Sequence, residues 1–322
     1  MSGIILRRLG ADEYARLVLP QTAAIWAGRR DFRTYLAHAF EIARSRYGRR
    51  YYRTFGLYDE KRLVASFKRY ERAAYLGASR LRAYGVGAVF TPPEYRGRGY
   101  ASAMLGCALD DARTGGYDLG FLFSDIAPQF YAQLGFVALP SREFSLKADT
   151  LPSRRLAPGI LSDRDWAGVE RCFTFDQSAR TFGFLRTPVV WDYIRNRLQQ
   201  DAAISTGTAA NLALRRGRRI VAYVLGTRTA ERDAYVVDEF GYADDAAAET
   251  IPALLRAAAG DLRRVVGWLP PTGARDALAS ATVRRRKRAV FMAVPLTPVG
   301  KRFVAALRSS GNADPCWHAD HV

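Results

Sequence analysis

The chain has 322 residues, 49% of them hydrophobic, which allows about two domains with proper cores and excludes a disordered or low-complexity class. Its formal net charge of +18 is almost all arginine, because the lysines are only Lys61, Lys68, Lys147, Lys287 and Lys301. Cys107, Cys172 and Cys316 are an odd, scattered set without a C-x-x-C pair, so a disulfide scaffold is excluded and a reducing compartment fits. The first residues hold too short an apolar run for a signal peptide and no later stretch approaches a membrane span, so a cytoplasmic protein without membrane contact is expected.

Ile4–Leu9 reads as a first strand. Asp12 is placed to cap a helix over residues 12–27, and Asp31 another over 31–47 with Phe32, Tyr35, Leu36 and Ala39 on one face. Residues 53–58 and 63–70 form a hairpin around Asp59, Glu60 and Lys61. A long strand over 78–91 carries Gly85 and Gly87, the signal of a bulge or a close approach, and Pro92 and Pro93 end it. Arg96-Gly97-Arg98-Gly99 follows, then a helix from Tyr100 to about residue 114 whose Ala101, Met104, Leu105, Ala108, Leu109 and Ala112 recur at three and four. Glycines that free the backbone, N–H groups at a helix start and two forked cations make a pyrophosphate cradle. The spacing is neither G-x-G-x-x-G nor the Walker pattern, so dinucleotide and nucleotide-triphosphate readings lose their usual support. Next come a strand over 119–123, Ser124, a helix over 127–134 with Phe130 and Tyr131, and Leu134-Gly135-Phe136. Cys107 falls in mid-helix and is expected to pack.

Beyond Pro152 and Pro158 the order repeats: helices over 163–172 and 187–199, a hairpin of 211–216 with 219–227 around Gly217-Arg218, a strand over 235–242, a helix over 246–259, and strands over 265–269 and 289–294. The division expected is 1–150 and 151–322. Where the first half has Arg96-Gly97-Arg98-Gly99, the second has Ala243-Asp244-Asp245 with Glu249 further on, carboxylates that would repel a pyrophosphate. The basic run at 284–288 reads as a solvated strand edge, so nucleic acid is not the expected partner despite the charge. Cys316, His318 and His321 lack a fourth ligand, and no metal is expected.

The series Arg96-x-x-Gly99-x-Ala101, with the strand, Ser124, Tyr131 and Gly135-Phe136 in register after it, resembles the acetyl-CoA signature of the GNAT superfamily of N-acetyltransferases. Residues 90–102 (FTPPEYRGRGYAS) and 123–136 (FSDIAPQFYAQLGF) look like the lysine N6-acetyltransferases of yeasts and their bacterial relatives. A more distant resemblance is to the mycobacterial enhanced-intracellular-survival acetyltransferases, which acetylate aminoglycosides and lysines. The resemblance implies an α/β fold with a mixed, splayed central sheet flanked by helices, in tandem with a degenerate second copy. It implies acetyl-CoA as cofactor and direct transfer, in a ternary complex, to the primary amine of a small molecule, lysine or lysine-like. An aminoglycoside, another antibiotic or a natural-product amine is the alternative acceptor. A non-catalytic CoA sensor or nucleic-acid-binding protein is the alternative of another class.

The resemblance also implies roles. Main-chain groups of Val89, Phe90 and Thr91 bind pantetheine and the thioester carbonyl. Arg96, Gly97, Arg98, Gly99, Tyr100 and Ala101 hold the pyrophosphate, Ser124 bonds the cofactor, and Tyr131 protonates the leaving thiolate. Trp26 and Tyr35 lie on the helices that wall the acceptor cleft, where they touch substrate or pack as core. The base stays open among Asp125, Glu94, Glu239 and Asp238, which are also groups that would anchor a cationic acceptor. In the aminoglycoside-acetylating relatives the chain's terminal carboxylate serves as base, which points to Val322 on a tail docked by Trp317, with Asp320 and His321 beside the cleft.

Overall fold

The structure is a computed structural model. It describes residues 3–125, 128–153, 156–204, 207–269, 275–310 and 315–321. The chain opens with β1 (Ile4–Leu9), α1 (Ala11–Leu17), α2 (Leu19–Trp26), α3 (Phe32–Arg44) and α4 (Arg46–Tyr51). The single helix expected over 12–27 is two because Pro20 tolerates only a first turn. Gly10, not Asp12, stands at its N-cap, whereas Asp31 caps α3 by accepting from Thr34 N–H at 2.7 Å. A meander follows, β2 (Tyr52–Asp59), β3 (Arg62–Leu76) and β4 (Ser79–Phe90), then α5 (Tyr100–Thr114), β5 (Leu119–Ser124), α6 (Pro128–Ala132) and β6 (Val137–Ala138). β5 runs parallel to β4, as a strand–helix–strand crossover requires. The apolar stripe of α5 packs Met104, Leu105, Ala108 and Leu109 on Phe67, Tyr84, Val86 and Leu122 of the sheet.

The remainder is β7 (Arg142–Lys147), β8 (Gly159–Ile160), α7 (Trp166–Ser178), β9 (Phe182–Leu185), α8 (Pro188–Ile204), β10 (Thr208–Ala209), β11 (Leu212–Arg216), β12 (Arg219–Thr229), β13 (Ala234–Tyr242), α9 (Asp245–Ala248), α10 (Ile251–Ala259), β14 (Arg264–Trp268), β15 (Thr282–Arg285), β16 (Val290–Pro295) and α11 (Pro298–Ser310). Pro252 again splits one expected helix into two. Two sheets of eight strands result: β1-β2-β3-β4-β5-β16-β6 with β9 on β3, and β15-β7-β14-β13-β12-β11-β8 with β10 on β12. Both are mixed and flanked by helices, the tandem layout that the repeated order of elements implied. No helix among the described residues is long and apolar enough to cross a membrane.

The expected division at residue 150 is crossed by three strands, one of them β9, which lies antiparallel on β3 in the first sheet. β16 lies antiparallel between β5 and β6 in the first sheet, and β7 lies between β14 and β15 in the second. The reason is in the side chains. Val290 to Val294 are all buried, as a strand covered on both faces needs, and Phe144 and Leu146 of β7 feed the core of the second sheet. Each sheet is incomplete without a strand from the other half of the chain.

Candidate active site

The site begins with a register defect. β3 and β4 slip between Ser66/Phe90 and Lys68/Gly87, and Ala88 has φ +45°, a left-handed angle that costs a residue with a Cβ about 1 kcal/mol or more. Gly87 is required because a Cβ there would stand 2.5 Å from the Tyr70 ring. β4 and β5 pair only over Ala83–Val86 and Leu119–Leu122. Beyond that, residues 87–90 and 123–124 run on without pairing to each other, while β5 keeps β16 on its other edge over its whole length. A bulge of this kind bends its strand, and the result is a slot between two parallel strands at their C-terminal ends.

At one end of the slot stands the start of α5. Its N-cap is Gly99 (φ +81°) with no side-chain cap, preceded by Gly97 (φ +74°), and a Cβ built on either meets nothing within 4 Å. The first intrahelical bond is Ala103 N–H to Gly99 C=O, so the N–H groups of Tyr100, Ala101 and Ser102 point outward from the helix end. Arg96 and Arg98 are exposed beside it. Arg96 Nε donates to Thr91 C=O at 3.1 Å and Tyr100 Oη to Asp59 at 2.5 Å, which ties the turn to the end of β4 and to β2. Empty space where side chains are missing, outward N–H groups and two guanidinium groups fit a diphosphate ester.

Tyr131 lies on α6, the helix directly after β5, with its ring edge-on to Phe130 at 5.0 Å and Phe136 at 6.2 Å. Burial, and secondarily Asp125, push its hydroxyl above the usual phenol range, so it is protonated at neutral pH. Ser124 is buried at the end of β5. Asp125 accepts from Ala289 N–H at 3.1 Å, which fastens the entry to β16. Glu94 is exposed on the turn ahead of α5, and Asp238 pairs with His318 at 2.5 Å. Cys107, expected to pack, is exposed halfway along α5.

On the sheet face opposite α5, Trp26 meets Phe90 edge-on at 6.3 Å. Tyr35 does not open onto the slot; it is core, packed with Leu9, Tyr14 and Phe90. Glu239 and Asp320 are also corrected as substrate ligands. Arg186, wholly buried, takes both: it donates to Glu239 and, at 2.9 and 2.7 Å, to the two oxygens of Asp320. Tyr223 Oη fills the other Glu239 oxygen. Burial pushes the Glu239 carboxyl up, while Arg186 outweighs burial for Asp320 and holds it below the usual range. The tail is docked as Trp317 implied: Trp317 is 2% exposed against Phe240, and Arg197 donates to His318 C=O (2.9 Å) and to His321 C=O. His321 lies edge-on to Phe123 at 4.9 Å, at the β5 end of the slot, and burial keeps its imidazole neutral. Val322 lies outside the described residues.

Three residues of this face escaped the sequence reading. Arg186 and Arg72, the latter buried and donating to Asp320 C=O at 3.5 Å, looked like two of many arginines. Lys68 carried a signal, as one of few lysines and set within an apolar strand pattern.

Residues 27–138 match the family model of the acetyltransferase (GNAT) domain. No curated protein sequence matches the chain. Among solved structures, a probable N-acyltransferase of Enterococcus faecalis superposes with TM-score 0.72 at 17% identity, over 92% of this chain and 73% of that one. A GCN5-related N-acetyltransferase of Anabaena variabilis gives 0.70 at 15%, over 92% and 74%. Eis1 of Mycobacterium abscessus gives 0.61 at 14%, over 91% and 74%. At such identities these likenesses speak for the fold. The matched domain, with the slot and the bare helix start inside it, makes residues 27–138 a GNAT-type acetyltransferase domain.

Proposed function

We propose that the protein acetylates the primary amine of lysine or a lysine-like small molecule by direct transfer in a ternary complex. The observation that carries the transfer is the slot between β4 and β5, which ends at an uncapped helix start and is followed at once by Tyr131. When bound, acetyl-CoA supplies the activated acyl group. Gly97, Gly99 and the N–H groups of Tyr100 and Ala101 hold the diphosphate, with Arg96 and Arg98 adding charge. Main-chain groups of Val89, Phe90 and Thr91, left unpaired toward β5, orient the pantetheine arm and the carbonyl. Ser124 sits where it bonds the arm from the other strand. Tyr131 keeps its proton at neutral pH and gives it to the departing sulfur. Cys107 stands about 10 Å along α5 from the helix start, so it does not offer itself for an acyl-enzyme. The lysine-like acceptor rests on the resemblance of residues 90–102 and 123–136. An aminoglycoside is less well served, because Glu239 and Asp320 are committed to Arg186.

The test is CoA release with lysine as acceptor, wild type beside Tyr131→Phe. Loss of a general acid is expected to lower kcat roughly 100- to 10,000-fold with little change in KM for acetyl-CoA. A Tyr131→Phe enzyme of wild-type kcat would remove the acid assignment. Silence toward lysine, with another amine turned over, would remove the acceptor.

A further inference from the structure

We propose that the acceptor is held by an anionic group, a carboxylate, at Lys68, so that the enzyme selects amines of the amino-acid class. This rests on the acetyl-transfer reading above and names the acceptor's second handle. Lys68 pairs with Gly87 at the slip that makes the slot, and alternation puts its side chain on the Tyr70 face, opposite α5. There it lines a pocket of about 100 Å³ between the sheet and the helices α1, α3 and α4. Its Nζ stands 5.0 Å from the ring centroids of both Tyr14 and Tyr52. Tyr14, which lines the pocket, belongs to the same buried cluster as Phe90 at the end of β4.

The charge around it is one-sided. None of the residues lining the pocket is acidic, while Arg8 and Arg53 line it beside Lys68. No carboxylate among the described residues pairs with Lys68, whose ammonium is pushed down to about 8 by burial and by Arg30. The nearest acid on α3, Glu41, is occupied by Asn196 and Gln200 of α8. His38 accepts from Arg30 at Nδ1, which puts its own proton on Nε2, and that buried N–H has no partner; neither has Arg53 Nε. The Lys68 ammonium and the Arg53 guanidinium line the pocket as a set of donors, with Arg53 Nε lacking an acceptor, and the unpartnered His38 Nε2–H belongs to the neighbouring helix α3. Two tyrosine rings soften the burial of the cation but accept no conventional hydrogen bond. A carboxylate satisfies the set, and a second cation does not.

The experiment compares lysine with lysinamide, which keeps the ε-amine and loses the carboxylate, in wild type, Lys68→Met and Lys68→Arg. Wild type is expected to show a KM for lysinamide roughly 10- to 100-fold above that for lysine, with kcat within a few-fold. Lys68→Met should raise the lysine KM to the lysinamide value and leave lysinamide unchanged, and Lys68→Arg should restore part of the preference. Equal KM values in wild type, or a preference that survives in Lys68→Met, would overturn the proposal. A second arm needs no turnover: calorimetric binding of norleucine and norleucinamide to the full chain with CoA present. Norleucine binding that is lost in its amide and in Lys68→Met supports the site even if no amine is acetylated. Equal binding of the two, or no binding of either, overturns it even if acetylation proceeds.

Discussion

The chain makes the same turn twice, and the two turns differ in who occupies the helix start. In the first, β4 runs into α5 through Gly97 and Gly99, and no side chain caps the helix. In the second, β13 runs into α9 through Asp244, whose carboxylate accepts from Ala247 N–H at 2.8 Å and pairs with Arg216 at 3.2 Å. The sheets behind the two turns are alike. β13 pairs in parallel with β14 over four residues only, as β4 does with β5, and slips against β12 at Leu225/Gly226. The splay has been kept in both copies. What separates them is a few residues at a helix start, which in the second copy supply their own anion. On the proposed reading, cofactor capacity in this architecture lies in the turn and not in the sheet.

The largest effect is expected where the second copy holds the first in shape. Asp320→Ala strips the buried Arg186 guanidinium of two of its three hydrogen bonds to carboxylates and leaves those donors unsatisfied, and such a loss costs about 3–5 kcal/mol in chemical denaturation. A cost under 1 kcal/mol would mean that the triad is not buried in solution. Next is Gly99→Asp, which gives the first turn the residue type of the second. Acetyl-CoA affinity should fall roughly 100-fold, through like charge at the anion site and the strain of a Cβ at φ +81°. Unchanged affinity would place the diphosphate elsewhere. The smallest is Asp244→Ala, expected to cost about 1 kcal/mol as a lost cap without creating a second cofactor site, since no guanidinium pair or glycine turn accompanies it. A cost near zero would mean that the cap is not made.

A pH series sharpens the same contrast at the tail. His38 is pushed down to about 4, mainly by burial, and His321 is held well below its usual value by burial and by His318. Both are neutral in the folded chain and take up protons when it unfolds. Their contribution is therefore present above pH 6.5, the unfolded value, and is lost as pH falls through the folded values toward 4. Melting temperature should drop over that window, and His321→Phe should flatten its upper part. A melting temperature level from pH 7 to 5 would contradict the burial of both imidazoles.

Much of the first site was legible because it is local. Pro92, Gly97, Gly99 and the stripe from Ala101 to Ala112 lie within one strand–turn–helix, and each has a physical reason that needs no distant partner. The acceptor side was not legible. Whether Glu239 is open to a substrate depends on Arg186, 53 positions before it, and on Asp320, 134 positions beyond that arginine. Exchange of β7 and β16 hid for a related reason. An apolar strand shows that it is covered on both faces, but not by which sheet. Lys68 was visible as an oddity, and only the fold shows that its neighbours are cations and aromatic rings.

The most direct measurement is calorimetric titration of the full chain with acetyl-CoA, in wild type, Gly99→Asp and Asp244→Ala. One site per chain is predicted, lost in Gly99→Asp and untouched in Asp244→Ala. Two sites per chain, or wild-type binding by Gly99→Asp, would contradict the claim that the bare start of α5 is the cofactor site.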